Sequence, residues 1–199
     1  MRPTALPARL PRIDCEFSVG CDHSCAHCYN VWGAEEEDPQ GGYDRGRPLA
    51  KAMMKGMVKR VLDQTQPDHV TVTGGGPLLR KDALELLAII AERTKSVSLI
   101  TNGSHVDEER ARGLAVLGIN QVQLTLLSTD REKHNRLKGA DCFDDTVKAG
   151  RLLREAGVGV SCCFVSMQEN AADFEAVMEL CFALDIRSIS YNRMSPTGG

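Results

Sequence analysis

Three thiols crowd into one short stretch, Cys21-Asp22-His23-Ser24-Cys25-Ala26-His27-Cys28-Tyr29, directly after the apolar, strand-like run from Ile13 to Val19. Cysteines spaced this closely are metal ligands first. Thiolates hold iron–sulfur clusters, and three of them on a four-iron cube leave one iron open to an outside ligand, which implies chemistry at that iron. Zinc accepts the same thiols, and His23, His27 or Cys15 would complete a tetrahedral Cys₃His or Cys₄ site. A disulfide framework has less behind it, because Cys142, Cys162, Cys163 and Cys181 are scattered through apolar segments and read as small core residues.

The elements that must position this loop follow a repeating two-beat pattern. From Leu49 to Gln64, the residues Leu49, Met53, Met57 and Val61, with Met54, Val58 and Leu62, form one apolar helical face. The β-branched run His69 to Thr73 is a buried strand that runs into Gly74-Gly75-Gly76-Pro77. Asp82 can cap a helix with Leu84, Leu86, Leu87, Ile89 and Ile90 on its apolar side, followed by the strand Val97 to Thr101 and Asn102-Gly103. Asp107 opens a third helix that Gly118 closes, ahead of the strand Gln121 to Leu127. A polar connection from Ser128 to Asp141 leads to a helix over about Asp144 to Ala156, stopped by Gly157. Strand Val158 to Val165, helix Asp173 to Leu184 and strand Ser188 to Asn192 complete the series.

Six strands alternating with five helices predict an α/β fold of right-handed βαβ units on a parallel sheet. Periodicity leaves two architectures open, a doubly wound sheet and a curved partial barrel. Both place chemistry at the carboxyl ends of the strands. The cysteines follow the first strand, the glycine run the second and Asn102 the third, while Thr125 and Ser128 stand at the end of the fourth, so all converge on one rim. Glycine there lets a backbone approach a ligand closely, although a tight turn would use it equally well.

These motifs together resemble the radical S-adenosylmethionine (radical SAM) superfamily, most of all the core domain of its peptide-modifying, SPASM-type maturases. The three-then-two cysteine spacing is the specific part. The glycine run is similar to the superfamily's Gly-Gly-Glu-Pro motif with Gly76 in place of the glutamate. Thr101-Asn102-Gly103, His134-Asn135-Arg136-Leu137-Lys138-Gly139 and Ser195-Pro196-Thr197-Gly198 extend the resemblance along nearly the whole chain. Leu124-Thr125-Leu126-Leu127 departs from it, since relatives often carry Ile-Ser-Leu-Asp there.

The resemblance implies a partial (β/α)₆ TIM-like barrel with parallel strands, and an enzyme with a 4Fe–4S cluster on Cys21, Cys25 and Cys28. S-adenosylmethionine (SAM) would meet Gly74, Gly75, Gly76, Pro77, Asn102 and Thr125. Lys138, standing where relatives often carry arginine, would pair with the SAM carboxylate as a point charge. Asn102 and Asn170 can equally cap turns. The implied chemistry is reductive cleavage of SAM to a 5′-deoxyadenosyl radical that abstracts hydrogen from a substrate, with no catalytic side chain singled out. The implied substrate is a ribosomally made peptide, with cofactor or haem biosynthesis and sulfatase maturation as alternatives on the same fold. A flavodoxin or ferredoxin would be the electron donor. The non-enzymatic alternative is a zinc-stabilised interaction domain.

Length and composition bound these readings. The 199 residues suit one domain, with 1–12 as an N-terminal extension and 13–199 as the core domain, ending just after the sixth strand. That ending predicts an incomplete protein, or a partner over an apolar edge strand. With 24 basic and 27 acidic residues the net charge is −3, which gives no footprint for nucleic acid. No stretch approaches the roughly 18 apolar residues needed to span a membrane. The N-terminus lacks the apolar region of a secretory signal, so eight cysteines point to a reducing, cytoplasmic setting.

Overall fold

The computed structural model describes residues 9–28 and 49–194. Tyr29, the acidic stretch Glu35 to Gly42 and the Ser195-Pro196-Thr197-Gly198 ending lie outside them, as does most of the N-terminal extension. Six parallel strands form one sheet: β1 (Arg12–Glu16), β2 (His69–Thr73), β3 (Ser96–Ile100), β4 (Gln121–Thr125), β5 (Gly159–Ser166) and β6 (Ser188–Arg193). Their spatial order is their chain order, β1-β2-β3-β4-β5-β6. A doubly wound sheet reverses direction at a switch point and this one never does, so the sheet is an open, partial barrel.

Side chains alternate across a strand, so each strand shows one set of residues to the helices and the other to the concave side. Val70, Val72, Val97, Leu99, Val122, Leu124, Cys162 and Phe164 join the core with residues of the covering helices. The covering helices are α1 (Lys51–Thr65), α2 (Ala83–Ala91), α3 (Glu108–Val116), α5 (Phe143–Glu155) and α6 (Phe174–Ala183). The opposite set is mostly polar, with Ile100 and Val165 as apolar exceptions. Thr71 is in register with Ser98 and Ser98 with Gln121, while Gln123 is in register with Ser161 and Ser161 with Ser188.

Several expectations are corrected. The polar connection from Ser128 to Asp141 contains a sixth helix, α4 (Arg131–Lys138). Its hydrophilic sequence hides the periodicity, but its ends are well marked. The Asp130 carboxylate accepts from Lys133 N at 3.0 Å, and Gly139 ends the helix at φ 62°. Asp107 caps α3 as expected, accepting from Arg110 N at 2.7 Å. Asp82 stands at the start of α2 without capping it, because both its oxygens take the Arg80 guanidinium at 3.0 Å in a buried pair. Only one stripe of the α1 face is buried, Met54, Val58 and Leu62, and the adjacent Leu49, Met53, Met57 and Val61 are exposed. Met53, Met57 and Val61 each precede a buried residue by one position, about 100° round the helix, and so turn away from the sheet. Edge strand β6, read as apolar, is largely exposed, with Tyr191 at 52%.

Candidate functional site

Backbone packing against the glycine run places the cysteine loop. Past β1, Phe17 N still donates to Thr73 O at 3.0 Å, and the chain then lies on the glycines. Gly75 N donates to Ser18 O at 2.7 Å and Gly76 N to Gly20 O at 2.8 Å. A Cβ on Gly75 would sit 2.4 Å from the Gly20 carbonyl oxygen, so only glycine permits the approach. Gly74, at φ 124°, turns the chain beneath it. These two amides are therefore engaged within the protein, and the Gly76 carbonyl accepts from Leu79 N at 3.0 Å, which leaves the carbonyls of Gly74 and Gly75 for a ligand. A Cβ on Gly76 would press on the flexible Leu79 side chain, at 2.6 Å, with Asp22 Oδ1 at 3.8 Å. Pro77 opens a short 3₁₀ turn, Pro77–Leu79, and is buried.

Helix α4 forms a second wall. Ala26 N donates to Leu137 O at 2.9 Å, and a Cβ on Gly139 would lie 2.5 Å from Ser24 O. Lys138 is only 2% exposed, so it is no solvated loop lysine. Burial pushes the Cys25 thiol up, and the Lys138 ammonium draws it back. The other residues of the motif hold the helix in place. His134 Nδ1 accepts from Leu127 N at 3.3 Å, and Asn135 Oδ1 caps α5 by accepting from Cys142 N at 3.0 Å and Phe143 N at 2.9 Å.

The loop after β3 forms the third wall. Asn102 Nδ2 donates to Asp22 Oδ1 at 2.9 Å, His105 Nε2 meets Asp22 Oδ2 at 2.8 Å, and His23 Nε2 meets Ser104 Oγ at 3.0 Å. Burial would raise the Asp22 carboxyl, but the hydrogen bonds from His105 and Asn102 win and hold it below its usual value. Asn102 thus grips the cysteine loop directly. Ser104 and His105 carried no motif and were missed, while Asp22 and His134 stood inside motifs without a role of their own; a carboxylate between two candidate ligands was the one available signal.

The remaining candidates divide. Thr125 ends β4 on the concave side, in register with Cys163. Asn170 is wholly structural, accepting from Met167 N at 2.7 Å and donating to Leu127 O at 2.9 Å. Ser128 Oγ accepts from Asp130 N at 3.0 Å. Cys15 packs against the core on the helix side of β1, where burial pushes its thiol up to about 11, so it is not a fourth ligand for the loop. Cys142, Cys162, Cys163 and Cys181 are all buried, as expected.

Cys21 and Cys28 are exposed and Cys25 is half-buried. After burial, each neighbouring thiol raises Cys25 further. Among the described residues, no three His, Cys, Asp or Glu side chains converge on a single-ion site. Buried side-chain nitrogens without a partner among those residues are His23 Nδ1, His27 Nδ1, His134 Nε2 and Arg154 Nε. The three imidazoles belong to the cysteine loop or its α4 wall. Unsatisfied buried polar atoms cost about 1–3 kcal/mol each, and clustering at one spot marks a place where another group supplies the partner. A thiol-rich loop with free imidazole nitrogens and a buried ammonium suits an anionic, sulfur-bearing cofactor.

A parallel partial barrel with a thiol-rich loop at the carboxyl end of its first strand is an α/β fold with a site built for a cofactor, and the family is shown by comparison. Residues 15–181 match the Radical SAM superfamily, and the chain belongs to it. That family uses a 4Fe–4S cluster and SAM. The chain is 33% identical over 113 residues to the PqqA peptide cyclase of Granulibacter bethesdensis, covering 56% of this chain and 30% of that protein. It is 26% identical over 174 residues to the Fe-coproporphyrin III synthase of Methanosarcina barkeri, covering 86% of this chain and 41% of the relative. Streptococcus suis SuiB, solved bound to its precursor peptide SuiA, superposes with a TM-score of 0.73 at 20% identity, over 94% of this chain and 40% of SuiB. The chain therefore spans less than half the length of these relatives.

Proposed function

We propose that residues 13–199 form a radical SAM core domain in which Cys21, Cys25 and Cys28 hold the 4Fe–4S cluster and the glycine run, Asn102, Thr125 and Lys138 surround SAM. The observation that carries this is the packing of three separate walls, the glycine run, α4 and the loop after β3, onto one cysteine loop whose imidazoles lack partners. Together the two cofactors supply a one-electron cleavage that yields a carbon radical able to take hydrogen from a substrate C–H bond. The protein's part is to hold and shield. The carbonyls of Gly74 and Gly75 would accept the SAM amino group, the Lys138 ammonium would pair with its carboxylate, and Asn102 keeps Asp22 and its loop in place. The polar concave side, with Gln123, Ser161, Cys163 and Ser190, receives the substrate.

The substrate is a ribosomally made peptide. Its support is the name of one relative, a peptide cyclase, and the peptide-bound state of SuiB. A tetrapyrrole is the second reading, supported by the longer match to the Fe-coproporphyrin III synthase. A flavodoxin or ferredoxin in a reducing cytoplasm serves as electron donor. No helix among the described residues is long and apolar enough to cross a membrane.

Anaerobic reconstitution followed by metal analysis and Mössbauer spectroscopy tests the cofactor site. Iron with a 4Fe–4S signature is expected, lost in Cys21→Ala, Cys25→Ala and Cys28→Ala and kept in Cys181→Ala. Stoichiometric zinc without iron overturns it. The substrate is tested by incubating reduced protein and SAM with a precursor peptide encoded beside its gene and, separately, with coproporphyrin. A peptide mass reduced by hydrogen is expected; deoxyadenosine formation indifferent to the peptide overturns the peptide reading alone.

A further inference from the structure

His134 is fully buried, and its two ring nitrogens are in different situations. Nδ1 accepts a hydrogen bond from Leu127 N at 3.3 Å, so it carries no proton. A neutral imidazole has one N–H, which therefore sits on Nε2. That donor has no partner among the described residues. An orphaned buried N–H is rare and calls for a bound acceptor. The ionisable groups near enough to act on the ring are Lys138, His23 and His27, which belong to α4 and the cysteine loop. The Phe143 ring meets His134 edge-on at 5.4 Å and so keeps the imidazole from turning. Helix α4 touches the loop on either side of Cys25, through Ser24 and Ala26.

We propose that His134 Nε2–H donates to an anionic acceptor bound in the cysteine loop, either a sulfur of the cluster or the carboxylate of SAM. His134 then has two separable duties. Nδ1 ties α4 to the end of β4, and Nε2 binds the cofactor, so the residue reports the cofactor's presence to the strand that carries Thr125. The proposal rests on the cysteine loop as cluster site.

Two variants separate the duties. His134→Asn keeps an acceptor for the Leu127 amide and loses the distal donor; His134→Gln keeps a donor near the Nε2 position and gives up the Leu127 contact. Each is reconstituted anaerobically, and redox titration without SAM and calorimetric titration with SAM are compared with the unaltered protein. If the acceptor is cluster sulfur, His134→Asn lowers the potential, because hydrogen bonds to sulfur favour the reduced cluster. At a fixed poise the reduced-to-oxidised ratio then falls about tenfold, equivalent to about 59 mV for one electron. If the acceptor is the carboxylate, the potential stays and SAM affinity falls about tenfold. In either case His134→Gln stays near the unaltered protein in potential and affinity while its thermal midpoint drops. His134→Met, which fills the space without a donor, stands in if the asparagine variant fails to assemble. A normal cluster with unmoved potential and unmoved SAM affinity in the donor-less variant overturns this proposal alone; a failure of the unaltered protein to take up iron overturns it together with the cysteine assignment.

Discussion

Along β2 to β5, Val70, Val72, Val97, Leu99, Val122, Leu124, Cys162 and Phe164 face the helices and are at most 1% exposed. The residues between them are Thr71, Ser98, Gln123, Ser161 and Cys163, which face the concave side. A closed TIM barrel fills its interior with layers of branched apolar side chains. Here the interior is lined mainly with hydroxyls, amides and a thiol beside the apolar Ile100 and Val165, and some of the polar groups bond to one another, as Asn192 Nδ2 does to Cys163 Sγ at 3.2 Å and Arg12 Nη2 to Thr71 Oγ1 at 3.0 Å. The convex face supplies the apolar core, and the concave face, outside that core, carries most of the polar side chains. A polar lining suits a substrate with many hydrogen-bonding groups, such as a peptide backbone.

The sharpest way to break this contrast is through Phe164, which packs on Phe174 at 5.2 Å and Tyr191 at 5.8 Å. Phe164→Ala is expected to cost about 3–5 kcal/mol in urea unfolding, as large-to-small core changes do. A loss below about 1 kcal/mol would show that the convex face is not where stability lies.

Gly75→Val follows in size, because its side chain would drive into the backbone that delivers the cysteine loop. Forced overpacking costs roughly 1–3 kcal/mol, and SAM binding should fall with it. Gly76→Glu meets the flexible Leu79 side chain and the edge of Asp22 rather than backbone, and should bind SAM better than Gly75→Val does. Equal losses by calorimetry would mean that the glycine run is a ligand surface first and a packing surface second.

The pH response of the cofactor-free protein probes the boundary between the faces. Burial, then the Lys138 charge, pushes His134 down to about 3, so the folded state keeps the ring neutral while the unfolded chain protonates it below its ordinary value near 6.5. A base with a lowered folded value makes the unfolded state bind more protons in that window. Stability therefore falls as pH drops from about 6.5 toward 3, with a limiting slope near 1.4 kcal/mol per pH unit. His134→Asn should flatten the slope between pH 6 and about 4.5, measured as the difference between the two unfolding series. The smallest effect belongs to the concave face: Gln123→Leu should change stability by no more than about 0.5 kcal/mol while weakening turnover of the proposed peptide substrate. Unchanged turnover would remove Gln123 from the substrate surface.

Local patterns in the chain determined a good deal. Apolar and β-branched runs marked the six strands, Asp107 and Gly118 bounded α3, and the spacing of Cys21, Cys25 and Cys28 pointed to a metal site, because each depends on residues a few positions apart. Helix α4 escaped since polar residues conceal a helical face, although Asp130 and Gly139 already bounded it. Strand order, and with it the choice of a partial barrel, was a matter for the tertiary structure, because neighbours in a parallel sheet are joined across whole helices. So were the burial of Lys138, the grip of Asn102 and His105 on Asp22, and the use of the glycine amides by Ser18 and Gly20. These contacts join residues from some fifty to more than a hundred positions apart, as from Ala26 to Leu137. Propensity and spacing decay within a few residues, whereas such pairings come into being only once the sheet has brought the ends of its strands onto one rim.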